Sequence, residues 1–444
     1  MRPESRALHK PSTLELRRQE WSWGFLDDLC DGVFDCPHST PVLSEVGPFL
    51  ARSQDVRSGV FRADQAAHVS DGTFRDRIRK VRPSEGDLLY SREGTYFGIA
   101  AEVPPNIDVC LGQRMVLIRP KREKLNSRYL RFWLNSSYMQ THIQGQKDGS
   151  VAERLNLPTI RNLPVLLPPI KVQEHIADLL GSFDDKIEVN RKMNETLEQM
   201  ARAIFKSWFV DFDPVRVKVQ GEKTFGIDEA TAALFPASFE QSELGMIPKG
   251  WNIEKASSIF DVHRDSINPG SSPDVTFMHY SLPAFDEGRI PKKALGSEIK
   301  SNKFLVKSDD ILISKLNPAT PRIWLLPSRI AEPSVCSTEF MVVRSKRVGT
   351  AFLTCLLQSS SVQEKLVQTA TGTSNSHQRT KPEVLLGINV VVPPESLVRA
   401  FDRTVLSMLE LVLCNIEGSH ALASTRDLLL PRILSGEVSI KEAV

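Results

Sequence analysis

The chain is written twice, and that constrains its fold more than any other feature. Leu166-Leu167-Pro168-Pro169 returns roughly 225 residues later as Val391-Val392-Pro393-Pro394. Gly86-Asp87-Leu88-Leu89-Tyr90-Ser91-Arg92 returns as Asp309-Asp310-Ile311-Leu312-Ile313-Ser314-Lys315, and Met115-Val116-Leu117-Ile118-Arg119 as Phe340-Met341-Val342-Val343-Arg344. Tyr129-Leu130 followed by Leu134-Asn135-Ser136-Ser137 returns as Phe352-Leu353 followed by Leu357-Gln358-Ser359-Ser360. Several blocks in one order at nearly one offset mean two copies of one module with small loop insertions. The blocks that begin at Gly86 and Met115, and their counterparts in the second copy, are short, β-rich apolar runs and read as strands. Leu130, Leu134, Met139 and Ile143 carry helical spacing. Each module is therefore mixed α/β and about 150 residues long.

After each Pro-Pro comes a heptad. Ile176, Phe183, Asn190, Leu197 and Ile204 stand seven apart, with Leu180, Ile187, Ala201 and Trp208 beside them. Phe401, Met408, Asn415, Leu422 and Leu429 repeat the pattern in the second copy. Such spacing over about four heptads predicts a paired helix rather than a surface one. The first runs from about Val172 to Phe209, roughly 57 Å at 1.5 Å per residue. Asp213-Pro214 is expected to stop it and Pro431 to stop the second. Asn190 and Asn415 hold matching positions, where a buried polar residue sets register, or where a drifting seam leaves them in solvent. The expected fold is mixed α/β, with two similar domains separated by an antiparallel coiled coil of two long helices. Its parts are an extension (1–19), module one (20–168), spacer helix one (169–212), a linker (213–248), module two (249–392), spacer helix two (393–436) and a tail (437–444).

Composition narrows the class. A hydrophobic fraction of 41% and a charged fraction of 25% are those of an ordinary folded chain. No apolar run reaches membrane-helix length, and the charged first twenty residues lack the apolar centre of a secretory signal. Six scattered cysteines suit the cytoplasm better than a disulfide scaffold. A net charge of +2 neither demands nor excludes nucleic acid, because patches decide.

Two similar modules joined by stiff helices suit a polymer with two sites at fixed spacing, and duplex DNA is one. The chain resembles the specificity (S) subunits of Type I restriction–modification systems over nearly its whole length. The resemblance rests on the Gly-Asp-(apolar)₃-Ser-Arg block at 86–92 and on Leu167-Pro168-Pro169 followed by Gln173, Ile176-Ala177, Asp184-Asp185 and Ile187. It continues through Ala203-Ile204-Phe205-Lys206-Ser207-Trp208-Phe209-Val210-Asp211-Phe212, Phe235-Pro236-Ala237-Ser238-Phe239, Gly245-Met246-Ile247-Pro248-Lys249-Gly250-Trp251 and Leu430-Pro431-Arg432-Ile433-Leu434-Ser435-Gly436. It implies two target-recognition domains, each reading half of a bipartite DNA site, and a coiled coil that sets the gap. It also implies two modification (methyltransferase) subunits and restriction (endonuclease/motor) subunits as partners, which hold S-adenosylmethionine, ATP and Mg. The chain departs from the pattern at Glu20-Trp21-Ser22-Trp23-Gly24, and at Glu395-Ser396-Leu397-Val398, where no residue matches Gln173.

Catalytic motifs are missing from the chain itself. It has no Asn-Pro-Pro-aromatic methyltransferase site and no GxxxxGK[ST] phosphate loop. Pro273-Asp274 followed by Glu298-Ile299-Lys300 spells a nuclease pattern, but small polar residues flank its second part. Cys30, Cys36 and His38 are three metal-ligating residues without a fourth at suitable spacing. No catalytic, metal or cofactor site is therefore expected here. The alternatives are a self-contained Mg-dependent nuclease on Asp274, Glu298 and Lys300, and a coiled-coil scaffold with no nucleic-acid role.

Candidate DNA contacts fall into two sets. Basic runs (Arg75, Arg77, Arg79, Lys80, Arg82; Arg119, Lys121, Arg122, Lys124, Arg128, Arg131; Lys292, Lys293, Lys300, Lys303, Lys307) suit phosphates, or are solvated faces. Base readout needs polar forks on loops. Lys147, Ser150 and Arg154 lie in the loop before the first Pro-Pro, and Asn375, His377, Gln378 and Arg379 in its counterpart. Both loops end in Arg at the repeat offset while the residues before it differ, as two different half-sites would require. Arg92 and Lys315 match each other at strand ends. The aromatic surplus of Phe205, Trp208, Phe209 and Phe212 suits the seam, the module base or a partner subunit.

Overall fold

The computed structural model describes residues 10, 21–57, 59–94, 96–146, 154–371 and 378–438. It divides into two compact units, Met1–Ile187 with Leu422–Val444, and Glu188–Ala421.

In the first unit, strand Ser22–Phe25 pairs antiparallel with Pro164–Leu167 and so ties the module's two ends together. A four-stranded sheet runs in the order Cys30–Asp35, Met115–Pro120, Leu88–Ser91, Ala100–Glu102. Its inner strands are buried on both faces, which is why they are continuously apolar rather than alternating. One face carries Leu88, Tyr90, Val116 and Ile118 into a core with Tyr129, Trp133, Ile176 and Leu180. The other carries Leu89, Met115 and Leu117 against Val56, Phe61 and Val109. Helices Ser127–Asn135 and Ser137–Gln144 start where Asn126 and Ser136 accept backbone N–H bonds from Tyr129 and Met139.

The second unit repeats this plan. Asn252–Lys255 pairs with Asn389–Val392, and a four-stranded sheet runs Phe260–His263, Phe340–Ser345, Ile311–Ser314, Ile323–Leu325. The central pairing keeps its register, with Ser314 opposite Phe340 as Ser91 is opposite Met115. The outer sheet is what changes, from three strands in the first unit to five in the second. The stretch 213–248 is folded rather than a bare connector. It forms helices Asp213–Val219 and Glu229–Ala233 and the hairpin Phe239–Ser242/Gly245–Pro248, and it places Val215, Phe235 and Ile247 among the buried residues. Phe205, Trp208, Phe209 and Phe212 are buried in this unit's core, where their rings meet Phe235, Trp251, Phe352 and Phe401.

Each module passes into a 40-residue helix, Ile170–Phe209 and Glu395–Leu434. Within the second unit the two run antiparallel: Asn190 Nδ2 donates to Ser419 (3.1 Å), Asn415 Nδ2 to Asn194 (2.8 Å), and Phe205 packs on Phe401. Ile176, Asn190 and Phe401 are buried. Phe183, Leu197, Ile204, Met408, Asn415, Leu422 and Leu429 are half-buried, while Asn194, Phe205, Val405, Leu409 and Val412 beside them are buried. The buried stripe thus follows 3.6 residues per turn and slides off a strict seven-residue repeat, as a straight helix does by about 20° per heptad. Pro431 does not stop the second helix, which runs on to Leu434. Proline there forfeits one backbone bond in the final turn, which closes instead through Ser435 N to Pro431 O (2.9 Å). Among the described residues no helix is long and apolar enough to cross a membrane.

Candidate nucleic-acid interface

In the first unit the strand Leu88–Ser91 runs out at Arg92, whose N–H donates to Arg114 O (3.0 Å) and whose carbonyl accepts from Leu155 N (2.9 Å). Glu93 forms a β-bridge with Arg154. The backbone therefore gathers 92–93, 114 and 154–155 at one sheet end. Arg92 is half-buried, 3.3 Å from Asp35, which also faces His38 at 3.4 Å. Arg114, in the left-handed region at φ 71°, holds Nε 3.2 Å from Glu93. Arg154 is exposed.

The second unit ties its strand end in the same way. Lys315 N donates to Glu339 O (2.8 Å), Lys315 O accepts from Thr380 N (3.0 Å), and Leu316 bridges Arg379. The side chains on this frame are different. Lys315 Nζ donates to Thr338 O (2.6 Å) and lies 5.1 Å above the Phe304 ring, and burial holds its pKa below the usual lysine value. Arg379 forms a two-point pair with Glu339, Nε to Oε2 at 3.1 Å and Nη2 to Oε1 at 3.2 Å. Gln378 O accepts from Asn317 N (2.8 Å).

The structure thus brings together residues that the sequence offered separately, Arg92 with Arg154, and Lys315 with Gln378 and Arg379. Lys147, Ser150, Asn375 and His377 lie outside the described residues. Arg79 is exposed and pairs with Asp76 at 2.7 Å. Arg77 needs correction as a DNA contact. It is 5% exposed and donates to Leu111 O, Ser39 O and Pro37 O (2.8, 3.0 and 3.1 Å), so its guanidinium is spent inside the fold. Much of the run 119–131 is likewise internal. Arg119 forms a fork on buried Asp87 (2.8 and 2.6 Å), and Arg344 repeats it on Asp310 (2.7 and 2.8 Å). Arg131 lies buried between Glu102 (2.9 Å) and Asp184 (2.8 Å), and Arg128 pairs with Asp185. The repeat already held the signal for the first pair, because Asp87/Asp310 and Arg119/Arg344 recur together. Glu93, Arg114 and Glu339 were missed, since nothing local marks them.

The nuclease pattern dissolves in the same way. Glu298 accepts the Leu295 N–H (2.9 Å) at a turn, and Lys300 donates to Ser297 O (2.8 Å), both at exposed positions. Cys30 and Cys36 are buried, and burial pushes the Cys30 thiol up to about 12, far from the thiolate a metal needs. No group of three or more His, Cys, Asp or Glu side chains suited to a metal occurs among the described residues.

The pattern described as the Type I restriction modification DNA specificity domain matches residues 48–199. The Type I restriction enzyme HindI specificity subunit of Haemophilus influenzae is 24% identical, over 86% of this chain and 93% of its own. The chain is thus similar to Type I restriction–modification specificity subunits over most of its length. The MjaIX specificity subunit of Methanocaldococcus jannaschii is also 24% identical, over 84% of this chain and 82% of its own. The fold is that of a solved Type I restriction–modification S subunit from M. genitalium (TM-score 0.52, 14% identity, covering 95% of this chain and 96% of that one). The duplicated strand end keeps one backbone frame in both modules and carries two different side-chain sets.

Proposed function

We propose that this chain is a specificity subunit that reads a bipartite duplex-DNA target, one module per half-site, and is itself non-catalytic. One observation carries the reading. The bridges Glu93–Arg154 and Leu316–Arg379 fix the same backbone frame in both units, while the charged groups on that frame are not the same. A frame held constant with variable polar forks is what two different short sequences require. The subunit gives that address, in the cytoplasm, to two modification subunits and to restriction subunits, which bring S-adenosylmethionine, ATP and Mg chemistry. The two long helices set the gap between the half-sites.

Adenine-methylation-sensitive sequencing of host DNA, with and without this gene, tests the proposal. A split motif should vanish with the gene. Exchanging 20–168 for the module of a relative should change one half of the motif only, and a change in both halves would overturn the reading. One added helical turn in both long helices should lengthen the gap and leave both half-sites unaltered.

A further inference from the structure

Each unit carries one exposed arginine at the strand end whose guanidinium is braced by a carboxylate from the neighbouring chain segment. The brace is not inherited from the repeat. In the second unit it joins Arg379 to Glu339, whereas the position matching Glu339 in the first unit is Arg114, braced by Glu93. Acid and base thus stand at different positions of one backbone frame, because Arg379 matches Arg154 and Glu93 matches Leu316. Side-chain exposures of 58% for Arg114 and 51% for Arg379 leave both heads open to solvent. The bond geometry is informative. Arg379 meets Glu339 through Nε and Nη2, so both Nη1 protons and one Nη2 proton face outward as a second fork. Arg114 Nε lies 3.2 Å from Glu93 Oε1, and its two Nη groups supply a fork of the same kind.

We infer that Arg114 and Arg379 are the guanine-reading residues of the two half-sites, each aimed by its carboxylate brace. The inference rests on the DNA-recognition reading above and deepens it. An outward guanidinium fork matches the O6 and N7 acceptors of guanine in the major groove. A phosphate contact needs only positive charge, and a carboxylate close to the cation would weaken it. A base reader gains from such a brace, because the brace restricts the rotamers of a long side chain before DNA arrives. The left-handed backbone of Arg114, at φ 71°, is strain of the sort that gathers where a side chain must be aimed. Arg92 and Lys315 do not qualify: both are half-buried and spent on Asp35 and Thr338.

The test is selection from a random duplex pool by the full-length chain assembled with its modification subunits, for wild type, Arg379→Lys, Arg114→Lys and Glu339→Gln. Lysine keeps the charge and loses the fork. Arg379→Lys should lower the preference for guanine at one position of one half-site by about 10- to 100-fold and leave the other half-site intact. Arg114→Lys should do the same in the opposite half. Glu339→Gln should blur the Arg379 position only, and by less. Thermal melting within a few degrees of wild type confirms that the variants fold. An unchanged motif with uniformly altered affinity would make these arginines phosphate contacts and overturn the inference while the recognition reading stands. A wild-type assembly that enriches no motif would sink the recognition reading itself.

Discussion

The junction between module and long helices is built from charge in one unit and from hydrocarbon in the other. In the first unit Asp184 forms an ion pair with Arg131 at 2.8 Å and also pairs with Arg426, while Glu102 accepts from Arg131 at 2.9 Å and Arg128 pairs with Asp185. Arg131, Asp184 and Arg426 have side-chain exposures of only 5%, 8% and 13%. At the matching positions of the second unit stand Thr354 for Arg131, Leu409 for Asp184, Ala201 for Arg426, Leu325 for Glu102 and Ala351 for Arg128. Those five belong to, or border, the core of Phe205, Phe352 and Phe401. Gly181 makes room for the charged version, since a Cβ there would sit 2.6 Å from the Arg128 guanidinium. One backbone plan thus tolerates two opposite chemistries, provided each is complete. A buried ion pair is tolerable only with both partners present, whereas an apolar junction gains with each atom added.

The comparison breaks most visibly at Asp184. Asp184→Ala leaves two nearly buried guanidiniums facing each other, and should destabilise the first unit by about 3–5 kcal/mol in denaturant unfolding. Arg131 retains Glu102, and Arg426 retains Asp427 at 2.7 Å, which favours the lower end of that range. Loss below about 1 kcal/mol would show that water already screens the cluster.

The opposite experiment transplants the second unit's chemistry into the first. Arg131→Thr, Asp184→Leu, Arg426→Ala, Glu102→Leu and Arg128→Ala together remove the charges as a set. The expected result is a change between neutral and about 4 kcal/mol of added stability, because the desolvation cost disappears with its pairs. A large loss would mean that the ionic cluster, not the backbone plan, specifies this junction.

Helix starts show the same contrast on a smaller scale. Asn126 caps its own helix through the Tyr129 N–H (3.0 Å), and Gln173 takes the Asn126 N–H (2.9 Å). The matching residues are Gly349 and Val398, neither of which can cap. Asp402, one turn beyond Val398, accepts the Phe352 N–H (2.9 Å) in their place. A side chain on Gly349 would collide with that carboxylate, 1.0 Å from Oδ2. Asn126→Ala should therefore cost about 0.5–2 kcal/mol in thermal or denaturant unfolding, as lost N-caps do.

What was legible in the sequence follows from these cases. The duplication, the strands at 86–92 and 115–119 and the two long helices were readable because apolar periodicity encodes them directly. Arg77, Arg128 and Arg131 were misread because a charged letter says nothing about burial; only the fold brings Asp184, or the carbonyl of Leu111, within reach. The second helix carries its seam on Val405, Leu409 and Val412, whereas the heptad counted from Phe401 names Met408, one residue short of Leu409. The missing counterpart of Gln173 was visible, but its replacement by Asp402 was not, since the exchange needs one helical turn and a neighbouring glycine at once.

Asp402 also supplies the smallest and most selective test. Burial pushes its carboxyl above the ordinary 3.8, against the opposing pull of the Phe352 and Ala351 N–H groups. A carboxyl whose folded pKa exceeds its unfolded value contributes stability below the unfolded value, and loses it as pH rises through the folded one. Asp402→Asn keeps an oxygen to accept the Phe352 N–H and removes the titration. The variant should match wild type near pH 4 and become the more stable of the two toward pH 7, as compared by denaturant midpoints at each pH. A difference that stays constant with pH would mean that the carboxylate is as well served by the helix start as by water. The two units would then differ in the residue that caps the helix but not in what that cap costs.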